Sequence, residues 1–247
     1  MCFLVVHHRR HHLAPLVLLA TRDERLDRPF DPPHRWDDAA EVFAPRDREA
    51  GGTWIGSNRQ GLVAALTNRG GPRPDLAARS RGLLVRDALA CSGALEARDV
   101  LRAHLAATPY EGFHLLLADR EQAFVLWRDA AGGGGGLPPA QEAAWHEGSH
   151  TLSSLHEPDE VPVPREALPG TDGLEAWRLR LEGLARDATP RLPGGHRILK
   201  RTPEGRRGTV CAALVVLPTD PAAPATWHFA PGPPDLAAFG LVPSPPA

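Results

Sequence analysis

Short apolar runs separated by polar turns dominate the chain and predict paired β-strands. The paired runs are Cys2–Val6 with Leu16–Ala20, Trp54–Ser57 with Leu62–Thr67, and Phe113–Ala118 with Ala123–Trp127. The turns between them are His7–His12, Arg59–Gly61 and Asp119–Gln122. Late strands are predicted at Thr209–Leu217 and Thr226–Phe229. Several runs are apolar at successive positions, so we expect sheets that are covered on a face.

Apolar residues at helical spacing predict three helices after the early strands. They are Leu76, Leu83, Leu84 and Ala88 in the first helix, Leu101 and Leu105 in the second, and Leu174, Trp177, Leu181 and Leu184 in the third. Asp75 is expected to cap the first helix, and Asp172 the third, with Glu175 as a capping-box partner. The predicted order is strands first, then helices, then further strands and a helix. This order is typical of a layered α+β fold.

The domain organisation follows from two stretches of unusual composition. The run Gly132–Gly136 is too flexible for a regular element and predicts a linker. The segment 231–247 is rich in Pro and Ala and is expected to be a disordered tail. Residues 1–230 are therefore expected to form a single domain.

Composition narrows the functional classes. The 247 residues carry a net charge of −2, which lacks the basic excess of a nucleic-acid binder. The three cysteines are widely spaced and predict neither a disulfide framework nor a metal site. No apolar run approaches the roughly 20 residues of a membrane span, and the N-terminus lacks the order of a secretory signal. We therefore expect a cytoplasmic protein; its oligomeric state stays open.

Cys2 is the strongest candidate for chemistry. Removal of Met1 would place a thiol and a free α-amine on the same residue. The amine has a reference pKa of about 7.7–8.0, so it can accept a proton near neutral pH. A nucleophile that uses its own terminal amine as base is a known catalytic arrangement.

The motifs around Cys2 occur in an order that identifies a family. They are Met1-Cys2, Ala20-Thr21-Arg22-Asp23-Glu24, Arg28-Pro29, Trp36, Gly51–Gly56 and Leu62–Asn68, with a later Arg206–Thr209. This pattern resembles the NRDE family, also called the Transport and Golgi organisation protein 2 family. Its Asn-Arg-Asp-Glu tetrad is present except that Thr21 replaces the Asn.

The resemblance implies a four-layer αββα sandwich of the N-terminal nucleophile hydrolase type. The resemblance also implies that Asp23 would hold the terminal amine and that Arg22 or Arg207 would lower the pKa of the Cys2 thiol. Asn68, at the end of a strand, would help to form the oxyanion hole.

Two further residues are expected to contact substrate. Trp54 would form a wall of the pocket. Ser154 stands where the family has an Asn, so a second polar position has changed together with Thr21.

The expected function is acyl chemistry by Cys2 on a small-molecule amide, ester or thioester, as a hydrolase or an acyltransferase. No cofactor or metal is expected. The Arg- and Ala-rich composition suggests a bacterial setting. One alternative is a binding protein for haem or an acyl lipid, with His7, His8, His11 and His12 as haem ligands. A solvated hairpin tip is the competing interpretation of those histidines. The last alternative is an accessory protein of a biosynthetic pathway.

Overall fold

A computed structural model describes residues 2–70, 78–129, 138–202 and 204–243. The chain divides into two compact units. The first comprises Met1–Arg28 and Glu147–Ala247, and the second comprises Pro29–His146. The domain predicted over 1–230 therefore contains an inserted unit. Among the described residues, no helix combines the length and the apolar composition that crossing a membrane requires.

Fifteen strands and three α-helices are described. The strands are β1 Phe3–His11, β2 Ala14–Arg25, β3 Phe30–Trp36, β4 Ala39–Asp47, β5 Ile55–Asn58, β6 Val63–Asn68, β7 Phe113–Ala118, β8 Ala123–Arg128, β9 Gln141–Trp145, β10 Gly148–Ser153, β11 Pro190–Leu192, β12 His196–Arg197, β13 Arg207–Leu217, β14 Thr226–Ala230 and β15 Gly240–Val242. The helices are α1 Arg81–Ala88, α2 Ala94–Ala107 and α3 Gly173–Ala185.

The first unit is built on a six-stranded antiparallel sheet in the order β10-β1-β2-β13-β14-β15. Side chains alternate between the two faces of a strand. Phe3 therefore lies on the face that α3 covers, where it joins a buried cluster with Trp177 and Leu214. Cys2 and Leu4 lie on the opposite face, and both are buried. The strand thus places Cys2 away from α3.

The second unit is a seven-stranded antiparallel sheet in which β3 to β9 follow one another in chain order. Helices α1 and α2 cover one face and bury Leu84, Leu101 and Leu105 against residues such as Leu115 and Leu117. Each helix thus packs its apolar stripe on the sheet, as expected for an amphipathic helix.

The predicted hairpins are confirmed as β1–β2, β5–β6 and β7–β8, and the late strands as β13 and β14. Strands β3, β4, β9 and β10 were not predicted. Strand β3 contains Pro32 and Pro33, which suits its place at the sheet edge because proline cannot donate to a ladder.

The helix and tail predictions need two corrections, and one prediction is not tested. The α3 helix begins after Asp172 as predicted, but the capping box is wrong: Asp172 pairs with Arg180 and Glu175 with Arg178. The cap predicted at Asp75 lies outside the described residues. Disorder of the tail is wrong for Gly240–Val242, which pair with β14.

His7 and His8 depart from the prediction of a solvated hairpin tip, whereas His12 is exposed, as that prediction requires. Strand β1 extends to His11, and His7 and His8 are each 1% exposed. The His7 Nδ1 lies 2.8 Å from Ser149 Oγ, and its ring meets Trp177 edge-on at 4.7 Å. Burial, followed by the charges of Arg10 and His150, lowers the pKa of His7 to about 3. His7 is therefore a neutral core residue.

We predict that acid destabilises the fold through His7. The pKa of His7 is 6.5 in the unfolded chain and about 3 in the folded protein. The stability that neutral His7 contributes is therefore fully present above pH 6.5 and is lost as the pH falls below it, because the unfolded chain then binds the proton. The loss is about 1.4 kcal/mol per pH unit in this window. Urea unfolding between pH 7 and 4.5 measures it. His7→Phe should reduce the slope, whereas His12→Gln, at an exposed position, should not; equal slopes in all three proteins contradict the prediction.

Candidate active site

Two hydrogen bonds to Ser154 hold the backbone of Cys2, the residue that precedes β1. The Cys2 nitrogen donates to Ser154 Oγ at 2.8 Å, and the Ser154 nitrogen donates to the Cys2 carbonyl at 3.2 Å. Both residues are buried. Ser154, predicted to contact substrate, therefore contacts the backbone of the candidate nucleophile.

Thr21 provides a second hydroxyl contact on the other side of β1. Its Oγ1 accepts a hydrogen bond from the Phe3 nitrogen at 3.2 Å and donates to the Phe3 carbonyl at 3.4 Å. The residue is 1% exposed. The Thr21 hydroxyl thus anchors β1, the strand that follows Cys2.

Arg22 lies between two thiols in the sheet. The register pairs Phe3 with Thr21 and Cys211 with Arg22, so Cys2, Arg22 and Cys211 occupy adjacent strands at one level. Burial is the largest influence on Cys2 and raises its pKa; the Asp23 carboxylate raises it further, and Arg22 opposes both. Burial likewise raises the pKa of Cys211, against the charge of Arg22. Both thiols are therefore protonated at neutral pH.

Asp23 is positioned by Thr209, which the sequence suggested as part of a late strand and of the motif Arg206–Thr209, with no role of its own. Thr209 Oγ1 donates to Asp23 Oδ1 at 2.7 Å and accepts from the Lys200 nitrogen at 2.9 Å. Burial raises the pKa of Asp23, and the hydrogen bond from Thr209 lowers it. The pairing of two strands that are distant in sequence creates this contact.

Arg207, the alternative cationic partner, lies on the surface. Its side chain is 58% exposed and forms an ion pair with Glu24 at 3.1 Å. Of the two predicted arginines, Arg22 is the one that is buried and that influences the Cys2 thiol.

Asn68 and Trp54 belong to the second unit. Asn68 ends β6, as predicted, and is paired in register with Phe113 of β7. Trp54 packs edge-on against Phe30, with ring centroids 5.5 Å apart. The oxyanion and pocket-wall roles of these two residues stay predictions.

No group of three or more His, Cys, Asp or Glu side chains that could hold a metal ion occurs in the part of the chain that the structure describes. Of the four histidines considered for haem, His7 and His8 are buried, while His11 and His12 stack on each other with centroids 4.8 Å apart.

Comparison with solved structures addresses the fold. The penicillin V acylase of Agrobacterium tumefaciens matches with a TM-score of 0.60 at 13% identity, over 93% of this chain and 83% of that one. The predicted α+β fold of the N-terminal nucleophile hydrolase type is confirmed by this likeness.

Sequence relatives address the family. The mouse Transport and Golgi organization 2 homolog is 36% identical over 112 residues, which are 42% of this chain and 38% of the mouse protein. The human homolog is 37% identical over 114 residues, which are 44% of this chain and 40% of the human protein. The match thus spans about two fifths of each relative. Both are mammalian, so they lend no support to the predicted bacterial setting.

The family model described as Transport and Golgi organisation 2 matches residues 1–165, which is more than half of the chain and includes Cys2, Arg22, Asp23 and Ser154. The chain belongs to the Transport and Golgi organisation 2 family.

Proposed function

We propose that Cys2, after removal of Met1, is the nucleophile of an acyl hydrolase or acyltransferase that acts on a small amide, ester or thioester. The observation that carries the proposal is the contact between the Cys2 nitrogen and Ser154 Oγ at 2.8 Å. A nitrogen held in this way would become the oriented α-amine once Met1 is gone.

Burial raises the pKa of the Cys2 thiol, and we propose that the thiol is likewise protonated once Met1 is removed. A protonated thiol needs a base at the moment of attack, and the α-amine, with a reference pKa of about 7.7–8.0, is within the same residue. As Sγ bonds to the carbonyl carbon, its proton passes to the amine. The ammonium then returns the proton to the leaving group, and the acyl-enzyme is resolved by water or an amine.

Buried polar groups would support these proton transfers. Arg22 favours the thiolate that forms during attack, since its charge already lowers the Cys2 pKa. Asp23 would stabilise the ammonium, and Thr209 fixes the carboxylate that does so. We assign oxyanion stabilisation to Asn68 and a wall of the acyl pocket to Trp54.

The state of the cysteines suits a reducing compartment. Cys2, Cys91 and Cys211 are all free and buried. Disulfides are rare in the cytosol, so we propose the cytoplasm as the location.

Haem binding is the alternative function, and the accessible stacked pair His11 and His12 is the feature that favours it. Titration with haem tests it directly. A Soret shift that His11→Ala and His12→Ala abolish would support this alternative, and no shift would count against it.

We predict that an activated acyl ester modifies Cys2 once. The purified chain should have the mass of a protein without Met1 and gain one acyl group, because the terminal amine assists only the thiol of its own residue. Cys2→Ala should prevent the adduct, and Cys211→Ala, which removes the neighbouring buried thiol, should not. Intact mass spectrometry with peptide mapping measures each protein.

A chain with an N-terminal extension tests the amine. It keeps Cys2 but has a peptide nitrogen in place of the amine, so its acylation should be slower by about 10²-fold, the usual contribution of a positioned general base. Equal acylation of the extended chain and the processed chain, or a retained adduct in Cys2→Ala, would contradict the mechanism.

We also predict that Thr209→Val destabilises the first unit by about 1–3 kcal/mol, because a buried carboxylate oxygen of Asp23 loses its donor. Urea unfolding measures the change. Thr226→Val, at an exposed position of β14, is the matched control and should have little effect. Acylation of Thr209→Val should also slow, with a changed pH profile. A variant as stable and as fast as the parent protein would exclude the role.

A further inference from the structure

A cavity of about 510 Å³ lies in the second unit, on the face of the sheet that α2 covers. Its apolar wall is formed by Leu105 and Ala106 of α2, Leu126 of β8 and the segment Pro138–Ala140. Its polar lining includes Arg102, Arg128, Gln141 and Glu142. The volume falls in the range of about 300–1,000 Å³ that is typical of small-molecule sites.

Arg128 is a buried cation in the wall of this cavity. It ends β8 two residues after Leu126, so both side chains point to the face of α2. The residue is only 2% exposed. Its guanidinium donates to the carbonyls of Leu105 at 2.5 Å and Thr108 at 3.3 Å, while the buried Nε has no hydrogen-bond partner.

The charge of Arg128 is only partly compensated. The carbonyls at the end of α2 carry roughly half an elementary negative charge. Within the described ranges, no carboxylate forms an ion pair with Arg128, and burial lowers its pKa. A buried cation without a counter-ion is unfavourable, so an anion that reached the guanidinium would be stabilised.

A neighbouring ion pair sets the charge that the ligand must carry. Arg102 Nε lies 3.3 Å from Glu142 Oε2, so the one carboxylate in the lining already has a cation. The lining therefore has a net charge of +1, from the two arginines Arg102 and Arg128 and the carboxylate of Glu142. A monoanion with an apolar body therefore complements the cavity.

We propose that this cavity binds a small monocarboxylate with an apolar chain. The carboxylate would lie on the guanidinium of Arg128, whose planar donors match two carboxylate oxygens. The chain would lie along Leu105, Leu126 and Ala140. The site is separate from the acyl chemistry assigned to Cys2, and neither proposal depends on the other.

Calorimetric titration of the full chain with hexanoate tests the site. We expect one hexanoate to bind, and hexanamide, which has the same chain and no charge, to bind at least about tenfold more weakly. The Cys2→Ala variant should bind hexanoate equally, which separates this site from an acyl pocket at the nucleophile.

A pair of substitutions locates the site. Ala106→Phe fills the cavity from the exposed side of α2 and should abolish binding. Ala107→Phe adds the same side chain at the next exposed position, which does not line the cavity, and should bind as the parent protein does. Both leave Arg128 and its contacts with α2 intact, so loss of folding is not the expected cause.

Direct replacement of the cation gives the second measurement. Arg128→Gln should lose the preference for hexanoate over hexanamide, with the melting temperature recorded to verify folding. The proposal is overturned if the parent protein does not bind hexanoate, if Ala106→Phe binds it unchanged, or if inorganic sulfate displaces hexanoate and binds as tightly, since that would mark a general anion site.

Discussion

The backbone ladder on both sides of β1 is the constraint on which the first unit depends. Chain termini usually fray, because they lack partners on one side. Here β10 pairs with one edge of β1 and β2 with the other, so β1 lies inside a sheet. The hydrogen bonds between Cys2 and Ser154 join residues that are 152 positions apart. Cys2 therefore has a fixed position only when the whole unit has folded.

Polar side chains gather at that end of the ladder, and their burial has an energetic reason. A buried polar group destabilises a fold unless it is hydrogen-bonded. Thr209 supplies such a bond to Asp23, and Thr21 and Ser154 direct their hydroxyls to the backbone of β1. In the middle of β1, His7 is buried in its neutral form, because burial lowers its pKa. The same strand thus accommodates buried polar groups in two ways.

Most elements of the fold could be predicted from local sequence patterns. The elements and contacts that depend on pairing between distant segments could not. The hairpins were predicted because each joins neighbouring apolar runs. Strand β3 was missed because Pro32 and Pro33 argue against a strand unless its edge position is known. His7 was placed in solvent because polarity alone does not reveal a long strand. The motif Arg206–Thr209 drew attention to Thr209, but its contact with Asp23, 186 positions away, could not be predicted from that motif alone.

The two departures from the family pattern lead to a consistent assignment of roles. Thr21 of β2 and Ser154, the residue after β10, stand at the two positions where we expect the family to have Asn, and each hydroxyl contacts the backbone of Phe3 or Cys2. Ser154 Oγ already accepts from the Cys2 nitrogen and donates towards the Cys2 carbonyl, at 2.8 and 3.4 Å. A single hydroxyl proton cannot also serve an oxyanion. In the function we propose, the Ser154 hydroxyl therefore anchors the nucleophile and is not the oxyanion donor.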